Sequence, residues 1–257
     1  MVLIPAGEFE MGDDDFENAK PVHTVYLDAF YIDKYEVTNA RYWEFVKDTD
    51  HKEPEGLIYT NSQWQPGLKP WLDECFNNGN QPVVCIDWED AMAYAKWAKK
   101  RLPTESEWEK SARGGRIGKK FAWGDDWPPP KGAGNFADRT AKKNADSVDF
   151  INGYDDGHAY TAPVGNFSPN DYGLYDIVGN IWEWCADWYS KNYYANSPRL
   201  NPSGPETQHY GLGHVLRGGA WLVTNGTRAI LNNLRVAYRT HDDRCLCHLG
   251  FRCAMNI

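Results

Sequence analysis

Apolar and polar positions alternate along residues 2–12 and again along 22–32, the period-two pattern of strands with one face turned inward. Within the second stretch, His23-Thr24-Val25-Tyr26-Leu27 and Phe30-Tyr31-Ile32 are separated by a turn near Asp28. The period then lengthens. Thr38 offers a helix cap, and Tyr42, Phe45 and Val46 mark one helical face to about Lys47. Residues 50–80 are polar and Pro/Gly-rich and read as a loop over the body. Asp87 caps a second predicted helix, with Ala91, Tyr94, Ala95 and Ala98 on one face, Lys96, Lys99 and Lys100 on the other, and Arg101 closing the last turn. A third begins at Thr104-Glu105-Ser106-Glu107. This is a capping box, in which the Thr hydroxyl accepts from one free N–H and Glu107 reaches back to another. Trp108 then faces the core. Glu105, Glu107 and Glu109 could carry acid–base chemistry, but acids also complement the positive end of a helix, which is the plainer reading. From Arg113 to Asn170 no period is sustained, and a loop that long needs fixing by metal or dense hydrogen bonding. With no repeat and no low-complexity linker, the expectation is one domain over residues 1–257.

Composition sharpens this. Twelve Trp, 15 Tyr and 10 Phe give ample core material, while 23 Gly and 15 Pro imply long irregular connections. The mean hydropathy of -0.67 agrees. The expected fold is α+β, loop-rich, with little regular secondary structure. A net charge of -9 argues against a general nucleic-acid binder, which needs a basic face, and suits bound cations where carboxylates converge. No apolar run approaches the roughly 20 residues that span a bilayer, and no signal peptide precedes Met1. The chain starts almost inside a strand at Val2-Leu3-Ile4-Pro5, so an upstream targeting segment would place it on a cell surface or a phage particle; location is otherwise open. Six cysteines are too few for a disulfide scaffold at this length. Nothing predicts a dimer, and a monomer is expected.

The last forty residues are different. The 27 residues from Leu222 to His248 contain no Lys, Glu, Gln, Met, Trp, Phe, Pro or Ser. If that set makes up roughly 40% of an average soluble chain, chance leaves such a gap on the order of once in a million windows. Val215-Leu216-Arg217-Gly218-Gly219-Ala220-Trp221 opens the segment and Leu249-Gly250-Phe251-Arg252-Cys253-Ala254 closes it.

Five blocks in order resemble the formylglycine-generating enzyme (sulfatase-modifying factor) domain family, a branch of the C-type-lectin-like fold. They are Ile4-Pro5-Ala6-Gly7-Glu8-Phe9-Glu10-Met11-Gly12, Tyr35-Glu36-Val37-Thr38-Asn39, Arg101-Leu102-Pro103-Thr104-Glu105-Ser106-Glu107-Trp108-Glu109, Gly173 through Trp184, and the blocks flanking the tail. The resemblance implies two structural calcium sites, and calcium wants six to eight hard oxygens. One would use Asn135, the carbonyl of Phe136, Asp156 and the carbonyl of His158. The other would use Asp176, the carbonyls of Gly179 and Ile181, and Glu183. The plain alternative is that Asp156 and Asp176 cap turns.

The family's oxidase works through a C-x4-C cysteine pair that binds copper, and soft Cu(I) requires that sulfur pair. Here Arg228 to Arg239 contains no cysteine, and Val236 stands at the second position. No copper is expected and no catalytic residue is assigned. Ergothioneine-type sulfoxide synthases share the domain but hold iron on a separate helical domain that is missing here. Cys245-Leu246-Cys247-His248 with His241 offers zinc or copper ligand types, but C-x-C is too tight for the usual structural zinc spacing.

A second resemblance accounts for the tail. Variable proteins of diversity-generating retroelements share this fold and end in a similar Arg-Gly-Gly … Asn-Leu-Arg-x-Ala-x-Arg … Gly-Phe-Arg segment. Their variable codons derive from adenine-rich Asn codons, and substituting the first two bases of AAY never yields Lys, Glu, Gln, Met or Trp. All 27 residues of the window fall within the reachable set. Asn233, Leu234, Arg235, Ala237, Arg239, Asp242 and Asp243 are then constant, within a variable segment of 215–254. The candidate variable, ligand-binding positions are Leu222, Val223, Thr224, Ala229, Leu231, Tyr238, Thr240, His241, Arg244, Cys245, Leu246, Cys247 and His248. They are expected to face outward, with Leu222, Tyr238 and Leu246 forming an exposed apolar patch. The alternative is that they are partly core and the missing charges reflect burial; against it, His241-Asp242-Asp243-Arg244 is too polar for an interior strand. The function implied is non-catalytic display toward a protein or glycan on a cell or phage; a divergent oxidase is the alternative.

Overall fold

The computed structural model describes residues 1–60, 62–144, 149–208, 211–223 and 227–257. In chain order its elements are β1 (Val2–Ile4), β2 (Gly7–Met11), β3 (His23–Leu27), β4 (Phe30–Ile32), α1 (Asn39–Thr49), β5 (Gly56–Thr60), β6 (Gln63–Leu68), α2 (Trp88–Trp97), α3 (Glu105–Arg113), α4 (Arg139–Asn144), β7 (Trp182–Trp188), β8 (His214–Arg217), α5 (Thr227–Asn233), β9 (Thr240–Asp242), β10 (Leu249–Gly250) and β11 (Ala254–Asn256). The class is α+β, and most of the chain between these short elements is irregular.

The first alternating run is broken at Pro5-Ala6, and its halves join different sheets. β1 pairs antiparallel with β4, whose other edge takes β11, so the two ends of the chain share one sheet. β2 pairs with β3 as a two-stranded ribbon. The third sheet has the order β10-β7-β8-β9, with β10 parallel to β7 and the other pairs antiparallel. The 50–80 region is not simply a loop. β5 and β6 form an antiparallel hairpin in which Tyr59 and Trp64 stand opposite each other, ring centroids 5.1 Å apart. Cross-strand aromatic pairing outweighs the polar composition and Pro66.

Both α2 and α3 begin with complete capping boxes. Asp87 exchanges hydrogen bonds with Asp90, and Thr104 with Glu107. α2 ends earlier than its pattern predicts, because Lys99 adopts φ 56° beyond it. Lys100 and Arg101 therefore leave the helix, Lys100 to pair with Asp33 at 2.6 Å and Arg101 with Glu107 at 2.6 and 2.7 Å.

The α3 acids do more than complement a dipole. Glu105 receives Nε and Nη2 of Arg239, each at 2.6 Å. Glu109 binds Arg113 at 2.6 Å and also pairs with Arg217. Burial pushes Glu109 up, but the Arg113 and Arg217 guanidiniums outweigh it and hold the carboxyl below its usual range. Arg217, Arg239 and Arg252 are all fully buried. These carboxylates are consumed by arginines, Arg217 and Arg239 from distant segments and Arg113 from the same helix, and are not free for proton transfer.

His214 shows how tightly aromatic packing holds the third sheet. Its ring lies between Trp88 and Trp188, centroids 3.7 and 3.6 Å away, with Nε2 buried and unpartnered. Burial lowers its pKa to about 4. The folded state therefore resists a proton that the unfolded chain accepts near pH 6.5, so this contribution is full above 6.5 and is lost as pH falls toward 4. Asp187, whose burial raises its carboxyl to about 8, acts in the opposite sense. The expected result is thus a difference: His214→Phe loses less stability than wild type between pH 6.5 and 4, by up to about 3 kcal/mol. Urea midpoints across that range check it, and parallel curves refute it.

Candidate functional site

The third sheet supplies the floor of a concave site. Trp182 comes from β7, Leu216 from β8, Thr240, His241 and Asp242 from β9, and Leu249 from β10. The wall is built by Leu222, Val223, Asn233, Tyr238, Arg244, Leu246 and His248, with Trp64 reaching in from β6. The enclosed volume is about 310 Å³. Trp64 is the centre of one side: the His248 ring lies 5.3 Å from it and the Arg244 guanidinium 5.8 Å.

Electrostatically the walls are balanced. Arg244 forks onto Asp242 at 2.7 and 2.8 Å. Burial pushes Asp242 up, but that pairing outweighs it and keeps the carboxylate ionised. Burial lowers His248 to about 4 and lowers His241 as well, so both rings are neutral near pH 7. His248 Nδ1 is buried without a partner. The cleft therefore offers aromatic faces, neutral imidazoles and one self-compensated ion pair, Arg244 with Asp242.

Eight of the thirteen candidate variable positions line this one cleft: Leu222, Val223, Tyr238, Thr240, His241, Arg244, Leu246 and His248. They do not form the outward patch expected from sequence. Leu222, Val223 and Leu246 are 2% exposed, His248 is buried as well and Tyr238 is half-buried, so these positions are partly core and the segment presents a hollow. The reason is that β9 and β10 are sheet strands, and the segment between them folds back beneath the β5–β6 hairpin, with Leu57 bridging Leu246. Cys247 is buried in the core, Ala229 and Leu231 pack against it, and Cys245 is half-buried. Thr224 lies outside the described residues. Trp64 and Trp182 line the cleft although neither belongs to the biased window; composition gave no signal for them.

Of the positions read as constant, Leu234, Arg235, Ala237 and Arg239 are buried in the frame, while Asn233 and Asp242 line the cleft itself. Arg235 reaches Asp13 and Asp15 at 2.7 Å, and Leu234 and Ala237 are buried. Arg217 donates to the Tyr238 carbonyl at 2.7 Å, tying β8 to the start of β9. At Gly219, φ is 75° and an added Cβ would stand 2.8 Å from the Asn233 carbonyl oxygen, so this turn admits only glycine without displacement.

The calcium candidates lie in two adjoining loops. Asn135 donates to the Tyr160 carbonyl and to Asn180 Oδ1, leaving its own Oδ1 buried and unpartnered. Asp156 accepts from the N–H groups of Phe136 and His158, and burial raises its pKa to about 7. In the second loop, Asp176 accepts from Gly165 N–H while its Oδ1 is buried and unpartnered, and burial raises it to about 6. Glu183 is already engaged by Arg252 at both oxygens and by Trp108 Nε1. Sequence reading missed Glu36. It is buried, accepts from no arginine among the described residues, and leaves Oε1 without a partner while Oε2 accepts from Asn180. Burial, then the Asp176 and Glu183 charges, pushes its pKa well up. Its place in the Tyr35–Asn39 block was the available signal.

The thiolate–imidazole alternative does not assemble. Among the described residues, His241, Cys245, Cys247 and His248 form no ligand cluster. His241 packs on Tyr189 and His248 on Trp64. Burial raises Cys245 to about 11 and Cys247 to about 12, so neither is a thiolate at neutral pH. Cys245 instead meets Asp87 and Asp90, a trio whose acids the Lys52 ammonium already bridges at 2.9 and 3.1 Å. No described helix is long and apolar enough to cross a membrane.

The sulfatase-modifying factor enzyme 1-like domain matches residues 1–257. The chain is 39% identical to the formylglycine-generating enzyme of Streptomyces coelicolor, over 98% of this chain and 88% of that protein. PvdO from Pseudomonas aeruginosa superposes with a TM-score of 0.73 at 28% identity, covering 99% and 93% of the two chains. Treponema denticola variable protein 1 superposes at 0.72 with 24% identity, covering 100% and 95%, and shares the fold.

Proposed function

Because the chain belongs to the sulfatase-modifying factor enzyme 1-like domain family, whose fold alone does not dictate chemistry, we propose that it is a non-catalytic binding protein. Its C-terminal segment forms a diversified ligand cleft, with a protein or glycan as the class of ligand. The observation that carries this reading is that eight positions from a compositionally restricted window converge on one hollow, while the interspersed Leu234, Arg235, Ala237 and Arg239 are buried in the frame. The six cysteines include no two spaced C-x4-C, and none lies between Arg217 and Arg244, which argues against the sulfur ligands that the oxidase mechanism needs.

Sequencing sibling copies of the gene tests it. Substitutions are expected at codons within 222–248, confined to residues reachable from AAY, with Arg235 and Arg239 constant. Variation scattered evenly along the chain removes the proposal. The divergent-oxidase alternative rests on the 39% identity to a named formylglycine-generating enzyme. Copper-dependent oxygen consumption with a Cys-containing peptide would establish it, and no turnover is expected.

Calcium is a further part of the proposal. The donor set fits a hard cation: buried oxygens of Asn135, Asp176 and Glu36 lack partners, and Asp156 and Asp176 are desolvated carboxylates. Asn135, Asp156 and the carbonyls of Phe136 and His158 would hold one ion; Asp176, the carbonyls of Gly179 and Ile181, and Glu183 would hold the other, with Glu36 beside it. When bound, calcium supplies charge neutralisation and a fixed geometry for the two loops.

A further inference from the structure

A second cleft, built by α1 and the segment after β6, lies apart from the variable window. Its lining is Asn39, Ala40, Trp43, Glu53, Trp71, Leu72, Asn77 and Gly79, enclosing about 390 Å³. No residue of 222–248 contributes to it. Two features set it apart from an ordinary surface depression.

First, Trp43 and Trp71 meet nearly at right angles, ring centroids 4.4 Å apart and planes at 86°. Trp43 is 41% exposed. The Trp71 indole is anchored, because its Nε1 donates to Asn39 Oδ1 at 3.3 Å. Asn39 is itself buried, and its amide donates to the carbonyls of Phe76 and Asn78. Perpendicular indoles in an open cleft leave one ring face available, and the negative face of an indole, not its positive edge, attracts an N-methylated or alkylated ammonium.

Second, Glu53 lines the same cleft, is exposed, and makes no ion pair among the described residues. Of the basic residues near it in sequence or on α1, Lys52 pairs with Asp87 and Asp90, Lys69 with Glu55 and Arg41 with Glu44, while Lys47, in the last turn of α1, does not line the cleft. A carboxylate without an ion-pair partner among the described residues thus shares the cleft with an available indole face, and Leu72, 78% exposed, completes an apolar rim. Tryptophan faces and a carboxylate both favour a cation, while the apolar rim favours one that is weakly hydrated. Those three requirements are met by a quaternary ammonium and not by a metal ion or an inorganic anion.

We infer that this cleft binds a small organic cation bearing a trimethylammonium group. The charge of the ligand faces Glu53 and its methyl groups contact Trp43 and Trp71.

Choline chloride titrated into the whole protein, followed by tryptophan fluorescence at constant ionic strength, tests this directly. Saturable binding is expected, at least about tenfold tighter than that of 3,3-dimethyl-1-butanol, which has the same shape without the charge. Trp43→Leu and Glu53→Gln, both at exposed positions, are each expected to weaken choline by about fivefold or more without shifting the melting temperature. Equal affinity for choline and its neutral analogue would overturn the inference, as would no saturable binding of either. So would sedimentation showing a dimer that Trp43→Leu abolishes, because the cleft would then be covered by a second copy of the chain. None of these readouts involves residues 222–248, so the inference stands or falls independently of the variable cleft.

Discussion

Arg239→Ala is expected to destabilise the fold by about 3–5 kcal/mol, because it strips the buried Glu105 carboxylate of its doubly bonded counter-charge and leaves only Arg217 Nε, 3.8 Å away. The pair is fully buried and doubly bonded, and Arg239 also donates to the Ser190 carbonyl at 2.8 Å and stacks on Tyr189 and Tyr194. Urea unfolding measures the loss. The double variant Glu105→Gln/Arg239→Met is expected to be less destabilised than Arg239→Ala, since no isolated charge remains. A loss below about 1 kcal/mol for Arg239→Ala would mean that the interior tolerates the charge, contrary to the usual cost of an unpaired buried ion. The position matters for function because Arg239 directly precedes Thr240, His241 and Asp242, which line the cleft. The buried pair clamps the entry of β9 to α3, so side chains one residue later can differ without moving the strand.

That alternation of clamped and free positions explains what could be read from sequence. Local rules were legible: the Thr104–Glu107 capping box, the strand periods at 2–12 and 22–32, and the Asp87 cap depend only on near neighbours. The biased window was also legible, since composition needs no structure. Its shape was not. Leu222, Tyr238 and Leu246 look like an exposed patch in sequence because polar His241, Asp242 and Arg244 surround them. The hollow depends on Trp64, more than 150 residues away, roofing the site from a hairpin whose Pro and Gly content masked its strands. Pairings such as Glu105 with Arg239 or Asn180 with Glu36 were illegible for the same reason. Nothing local marks which distant partner a buried carboxylate takes, and so Glu36 escaped notice until its unpartnered oxygen appeared beside Asp176.

Removing calcium is the second change expected to have a large effect. An ion held at about a hundred times its dissociation constant adds about 2.7 kcal/mol to the native state. In a chain of this length that corresponds to roughly 5–11 °C in melting temperature per site. Differential scanning fluorimetry with excess calcium and then with chelator is expected to show at least that separation. Glu183→Ala is a poor probe, because it would also orphan the buried Arg252 guanidinium and lower stability with no ion involved. Asn135→Ala and Asp176→Asn serve better when scored by the calcium-minus-chelator difference rather than by absolute melting temperature. Asn135→Ala loses hydrogen bonds to Tyr160 and Asn180 under both conditions, so that cost cancels in the difference. Each variant is expected to shrink the separation. A wild-type protein that melts at the same temperature with calcium and with chelator would remove calcium from the account. The unpartnered oxygens of Asn135, Asp176 and Glu36 would then have to be satisfied by water or by protonation of the carboxyls.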